Sequence, residues 1–263
     1  MFDMHSHTGF SDDCDIPIET MLDAAAASGI EGVAVTDHWD PGYPDPDFPF
    51  ELDIDRYLKT LEKMRESYAQ RGLTVLRGIE VGIMDSEMEN TRERLAGRDF
   101  DLIIGSFHCC RSEALDIMDW SRRSEAEVTE DFYRWMYDCL RRFKLYNVVG
   151  HYTILDRYAP RRPDLTPCMD IIRETLKMMI EDGKGLEINT SNFKYHMDDW
   201  LPRREILAAY RKLGGEILTI GSDAHETDRY GDHFREAAEL AVSLGFRWWC
   251  SFRGGEPVFH RFD

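Results

Sequence analysis

The chain has 263 residues, of which 43% are hydrophobic, 31% charged and 12% aromatic, with 19 Gly and 10 Pro. At about 150 residues per domain this length admits one large domain or two small ones, and a single α/β barrel takes about 250. The composition excludes a disordered chain, a collagen-like fibre and a small disulfide scaffold, and a formal charge of −18 leaves no broad basic surface for gripping nucleic acid or anionic lipid.

An anionic substrate therefore has to be captured locally, against the overall field. No apolar run reaches the length of about 18 residues that a membrane helix needs, and the opening Met1-Phe2-Asp3-Met4-His5 has neither a basic nor an apolar leader segment, as expected of a cytoplasmic protein without a membrane partner. The cysteines Cys14, Cys109, Cys110, Cys139, Cys168 and Cys250 form no C-x-x-C pair, so reduced thiols are expected.

Along the chain, short apolar and β-branched runs near 2–6, 32–36, 73–80, 100–106, 146–150, 184–189, 216–221 and 246–251 read as strands. Stretches of helical period fall between them, near 17–28, 53–71, 86–96, 124–143, 167–182, 202–213 and 232–244. Several open with Pro, Asp, Ser or Thr and close with Gly, as helix boundaries do. Seven or eight βα repeats around a parallel sheet result, an α/β class. No Ser/Gly-rich or Pro-rich linker interrupts residues 1–263, which are read as one domain. The proline-bearing stretches 41–50 and 158–167 are expected to be long loops over a barrel mouth. The acidic segment 40–55 fits either a lid or a plain hydrated loop.

The histidines fall where the strands run out. Asp3, His5 and His7 are two residues apart, which puts all three on one side of the first strand. His38, Glu80, His108 and His151 each follow an apolar run, and Asp223 and His225, again two apart, follow Ile217–Ser222. In a parallel barrel these ends gather on one face, where active sites are built. Asp13 joins them from the loop after His7, and His196 is placed more loosely. Neutral imidazole and carboxylate suit Zn, Fe or Mn ions, and a set this large exceeds one tetrahedral site, so two or three divalent metals are expected.

Other chemistries are discounted. Cys109-Cys110-Arg111 lacks the spacing of a cysteine phosphatase loop, and Asp53-Ile54-Asp55 opens a helix and does not follow a strand. No phosphate-cradling glycine loop of the nucleotide-binding kinds occurs, and Gly254-Gly255 reads as a turn.

The ordered motifs His5-Ser6-His7, Thr36-Asp37-His38, Gly78-Ile79-Glu80, Gly105-Ser106-Phe107-His108, Gly150-His151 and Gly221-Ser222-Asp223-Ala224-His225 resemble the polymerase and histidinol phosphatase (PHP) superfamily. The nearest likeness is to its monofunctional histidinol-phosphate phosphatases. The likeness extends to Phe252–Val258, which is similar to the family's closing strand-turn. It implies a distorted (βα)7 barrel of the TIM-like kind with a trinuclear centre. One metal would be held by His5, His7, Glu80 and Asp223, a second by Glu80, His108 and His151, and a third by Asp13, His38 and His225. Asp13 is preferred to Asp12 because the family's ligand lies six positions after the second His of H-x-H. Arg157 and His196 fall where the family places phosphate-binding groups, and Tyr152 stands where many relatives have Pro.

The implied activity is metal-dependent hydrolysis of a phosphate monoester by a metal-bridging hydroxide. Arg157 would clamp the phosphoryl oxygens, His196 would contact phosphate or the leaving oxygen, and Asp223 would serve as both ligand and proton carrier. The implied substrate is L-histidinol phosphate, in histidine biosynthesis. Its cationic organic end suits an acidic mouth. The alternatives are a phosphoesterase of the same fold acting on nucleotides, oligonucleotide ends or another small phosphate, and a catalytically silent metal-binding regulatory barrel.

Overall fold

A computed structural model describes residues 1–262. Seven parallel strands form the frame in chain order: β1 (Phe2–Asp3), β2 (Gly32–Val35), β3 (Thr74–Gly82), β4 (Leu102–Ser106), β5 (Val148–Val149), β6 (Gly185–Asn189) and β7 (Leu218–Gly221). Each pairs with the next, and a short piece at His38–Trp39 adds to β3. The ends of this sheet meet, since Met4 N donates to Ile220 O at 3.0 Å and Ser6 bridges Ala224 in parallel. The result is the sevenfold α/β barrel that the resemblance implied.

A helix follows every strand: α1 (Ile18–Ser28), α2 (Ile54–Ala69), α3 (Met88–Leu95), α4 (Glu125–Arg142), α5 (Met169–Glu181), α6 (Arg204–Lys212) and α7 (Phe234–Ser243). Local chemistry sets their ends. Asp53 caps α2 by accepting from Arg56 N, which gives the Asp-x-Asp stretch a structural use. Ser124 and Glu127 form a reciprocal capping box on α4, and that helix buries Val128, Phe132, Trp135, Met136 and Cys139 at helical spacing against the barrel. Gly29 ends α1 at φ 84°, a left-handed position that glycine takes without strain.

The stretch near 246–251 is a strand, but not an eighth barrel strand. It is β8 (Trp248–Arg253), paired antiparallel with β9 (Glu256–Arg261) across the Gly254-Gly255 turn. This hairpin covers the end of the barrel opposite the histidines: Gly254 N and Gly255 N bond to Asp101, at the start of β4, and Asn147 Nδ2 donates to Gly255 O. Cys250 and Phe252 pack with Met4, Ala34, Leu76, Leu102, Ile104 and Val148 inside the barrel. An antiparallel partner of β9's kind leaves no periodic trace that separates it from a barrel strand. The six cysteines are buried and unpaired. Among the described residues no helix is long and apolar enough to cross a membrane.

Candidate active site

Glu80 lies inside the buried run Gly78–Gly82 of β3 and stands at the centre of the opposite mouth, fully buried. Its Oε2 lies 3.1 Å from His5 Nε2, 3.4 Å from His7 Nε2 and 3.1 Å from His38 Nδ1. Its Oε1 lies 2.9 Å from His151 Nε2 and 3.3 Å from His108 Nε2. Asp223 Oδ1 is 3.3 Å from His7 Nε2 and 3.8 Å from His5 Nε2. Asp13 Oδ2 reaches His225 Nε2 at 3.0 Å and His38 Nε2 at 3.6 Å. Asp12 instead accepts a bond from Phe50 N on the surface. All nine sequence candidates for metal ligation thus converge on one face.

Donor atoms of eight of the nine fall into compact groups: His5, His7 and Glu80; Glu80, His108 and His151; and His7, Asp13, His38 and His225; Asp223 joins none of these groups and lies beside His5 and His7. A further group, His38, Asp40 and His108, includes a carboxylate that the spacing did not single out. His5 Nε2, His7 Nε2, His38 Nδ1 and Glu80 Oε2 are buried without a hydrogen-bond partner. Buried polar atoms without partners are costly, and here they are inward-facing imidazole and carboxylate atoms, a donor set that fits divalent cations.

The supporting carboxylates complete the picture. His5 Nδ1 donates to Glu187 Oε1 at 2.7 Å, and the other oxygen of Glu187 accepts from His151 N at 2.9 Å. Asp40 accepts from His108 Nδ1 and from Gly82 N. Such partners orient a ligand ring and raise its basicity. Sequence reading missed both, although a charged residue inside the buried strand Gly185-Leu186-Glu187-Ile188-Asn189 and an Asp two residues after His38 were usable signals. Asp37 accepts from Thr8 N, Thr8 Oγ1 and Ser11 Oγ at 2.6, 2.8 and 2.9 Å, and Ser11 Oγ also lies 3.2 Å from His7 Nδ1. This network binds the loop after His7 to the end of β2. Asp3, on the same side as His5, is used below the ligands, accepting from Ser222 N at 2.9 Å to join β1 to β7.

Glycines make room at the same level. A Cβ on Gly221 would collide with His5 Cβ and Glu187 Oε1, and one on Gly82 would collide with the Asp40 carboxylate. His151, Asp223 and Phe50 adopt φ of 24°, 57° and 46° beside the cavity, and strained backbone of this kind concentrates at functional sites.

The charges are strongly coupled. Burial opposes ionisation of Glu80 and Asp223, but His5, with His38 and His108 for Glu80 and with His7 and His225 for Asp223, outweighs it and holds both carboxyls well below their usual range. Burial also disfavours charge on His108, yet Asp40 and Glu80 raise it to about 9. His7, buried between His225 and His38, falls to about 3. Acidic and basic groups this closely packed share protons in the places a metal's charge would fill. Burial pushes the Cys110 thiol up to about 12 and the Cys109 thiol higher still, so neither is a ready nucleophile.

A cavity of about 340 Å³ opens over this cluster. Arg157 lines it, with Nη2 donating to Ser191 Oγ at 2.6 Å and to Asp223 Oδ2 at 3.4 Å, and with its guanidinium 4.1 Å from the Tyr195 ring. Tyr43, Phe48 and Phe50 of the 40–55 segment form part of the wall, and Tyr43 Oη donates across the rim to Asp116 at 2.8 Å. His196 is exposed and does not line the cavity, whereas its neighbours Lys194 and Tyr195 do.

A family model described as the PHP domain matches residues 3–191. The chain belongs to the PHP domain family. Among curated members, a protein of Clostridium acetobutylicum named "Probable histidinol-phosphatase" is 31% identical over 94% of this chain and 95% of its own length. The histidinol-phosphatase of Lactococcus lactis is 26% identical over 96% of this chain and 94% of its own. The PHP barrel superposes on the crystal structure of the histidinol phosphate phosphatase from Lactococcus lactis, solved with Zn, L-histidinol and phosphate, with a TM-score of 0.87, 23% identity and 98% of each chain covered.

Proposed function

We propose that this PHP protein hydrolyses a phosphate monoester, L-histidinol phosphate, to L-histidinol and phosphate. One observation carries the reading: the Arg157 guanidinium stands at the wall of the cavity whose floor is the ligand cluster, 3.4 Å from Asp223. Relatives named histidinol-phosphatase over nearly the whole length support the substrate.

His5, His7, Glu80 and Asp223, then Glu80, His108 and His151, then Asp13, His38 and His225 are the sets that would hold two or three divalent ions, zinc, iron or manganese. When bound, such cations neutralise charge on phosphoryl oxygens and make water acidic enough to attack at neutral pH. The chain's own side chains do the rest. Arg157 presents a planar fork to two phosphoryl oxygens, held by Ser191 and backed by Tyr195. Asp223 faces both Arg157 and His7, so its carboxylate takes a proton from attacking water and returns it to the departing alkoxide. His196 sits at the outer edge, where an inward turn of its loop would add it to Arg157 on the phosphate. The Tyr43–Asp116 rim offers a carboxylate to the ammonium and imidazole of the organic end. We read residues 1–263 as one domain working in a reducing cytoplasm, a setting that suits six buried unpaired thiols.

Phosphate release from L-histidinol phosphate, nucleoside monophosphates and an aryl phosphate, with protein reconstituted with Zn²⁺ or Mn²⁺ and its bound metal counted, tests this. The expected result is a kcat/KM of about 10⁴ M⁻¹s⁻¹ or more for histidinol phosphate and far less for the others. Equal slow turnover of every ester would discard the substrate. No turnover by fully metallated protein would discard the hydrolytic reading.

A further inference from the structure

Arg157 is carried by a single helical turn, Leu155–Tyr158. A turn that short does not hold itself, because nucleating a helix costs more than its few hydrogen bonds return. Consecutive residues on a helix point about 100° apart. Arg157 lines the cavity, while Asp156 meets Arg203, the residue just before α6. Arg203 Nε donates to Asp156 Oδ2 at 2.7 Å, and Nη2 donates to Asp156 Oδ1 at 2.6 Å and to Pro163 O at 2.7 Å. The Arg203 backbone N–H donates to Thr153 Oγ1 at 3.3 Å. Both side chains are withdrawn from solvent, with 4% and 6% exposure. One arginine thus grips the entrance, the middle and the exit of the loop that presents Arg157.

The same segment is tied to the other side of the subsite. Leu201 O, two residues before Arg203, accepts from Asn189 N at 2.7 Å. Asn189 ends β6 and its side chain accepts from Ser191 N at 3.0 Å, and Ser191 is the hydroxyl that holds Arg157. Arg157 and its Ser191 partner are therefore both referenced to the 201–203 segment.

We propose that Arg203 is a positioning residue: through its paired bonds to Asp156 it sets the turn that aims Arg157 at the phosphoryl group. The proposal rests on reading Arg157 as a phosphate-binding group. A lysine cannot reproduce the role, since an ammonium lacks the planar fork.

The test uses metal-loaded protein carrying Arg203→Lys, and a second form in which Arg203→Met and Asp156→Leu remove both charges together, so that no buried ion is left unpaired. Each is made alone and in an Arg157→Ala background. The readouts are inorganic phosphate affinity by calorimetry, kcat and KM on the phosphate ester, and the melting temperature. Both forms are expected to melt above the assay temperature and to weaken phosphate binding by about 10- to 100-fold, the scale for a misplaced binding group. In the Arg157→Ala background they are expected to weaken it no further. Unchanged phosphate affinity, or an equal loss with and without Arg157, would overturn the positioning role. A loss in Arg157→Ala with none in the Arg203 forms defeats this proposal alone. Phosphate binding indifferent to Arg157→Ala defeats the phosphate reading and the positioning role with it.

Discussion

Glu80 accepts close approach from five imidazoles, His5, His7, His38, His108 and His151. It keeps its charge because His5, His38 and His108 surround it, and these three are in turn raised by the carboxylates beside them, Glu80 among them. Metal uptake therefore competes with protons. His108, raised to about 9, holds a proton at neutral pH in the metal-free protein, so apparent metal affinity is expected to fall as pH drops from about 9 to about 6, with proton release on binding. Calorimetry in buffers of different ionisation enthalpy measures both. Glu187→Gln removes the carboxylate behind His5 and is expected to weaken metal binding about 10- to 100-fold, read from a chelator titration. Arg157→Lys keeps the charge but loses the fork, and a fall in kcat/KM of about 100-fold is expected, against little change in metal content.

At the scale of elements, the βα repeat is what converts scattered residues into a mouth. The strand ends and the loops just after them carry the candidate ligands and their partners, and the glycine at the end of β7 lets His5, just after β1, and Glu187 of β6 approach it closely. Gly221→Ala would press a methyl group against His5 and Glu187 together. Overpacking of this kind costs about 1–3 kcal/mol. The urea midpoint is expected to fall accordingly, and metal affinity with it; an unchanged midpoint would show that β7 can shift without cost. The short turn Leu155–Tyr158 stands at the other extreme, an element made by its surroundings.

For the whole molecule, the net charge of −18 sets the sign of the salt effect. The protein's field repels an anionic ester before the cavity's local groups can act, so added salt screens a repulsion and raises kcat/KM, the reverse of favourable steering. The effect is expected to be larger for a dianionic aryl phosphate than for L-histidinol phosphate, whose ammonium and imidazole offset its phosphate. Initial rates across an ionic-strength series decide this, and a kcat/KM that falls with salt for both esters would show that the cavity's own field dominates.

The convergence of the nine candidate ligands was legible in the sequence because a parallel barrel brings the C-terminal ends of its strands to one face, so position relative to an apolar run already specifies location. Period-two spacing placed His5 beside His7, whereas Asp223 and His225 meet past the end of β7, where Asp223 at φ 57° has left the extended backbone. Asp13 and Arg157 were legible through motif order, since loops carry no period. Tertiary structure alone decided the rest. Glu187 meets His5 across 182 residues and Asp40 meets His108 across 68, pairings no local pattern encodes. Loop dihedrals turned Lys194 and Tyr195 to the cavity and left His196, at φ 51°, outside it. The last apolar run became a hairpin closing the far end of the barrel, because hydrophobicity says that a strand is buried but not which neighbour will pair with it.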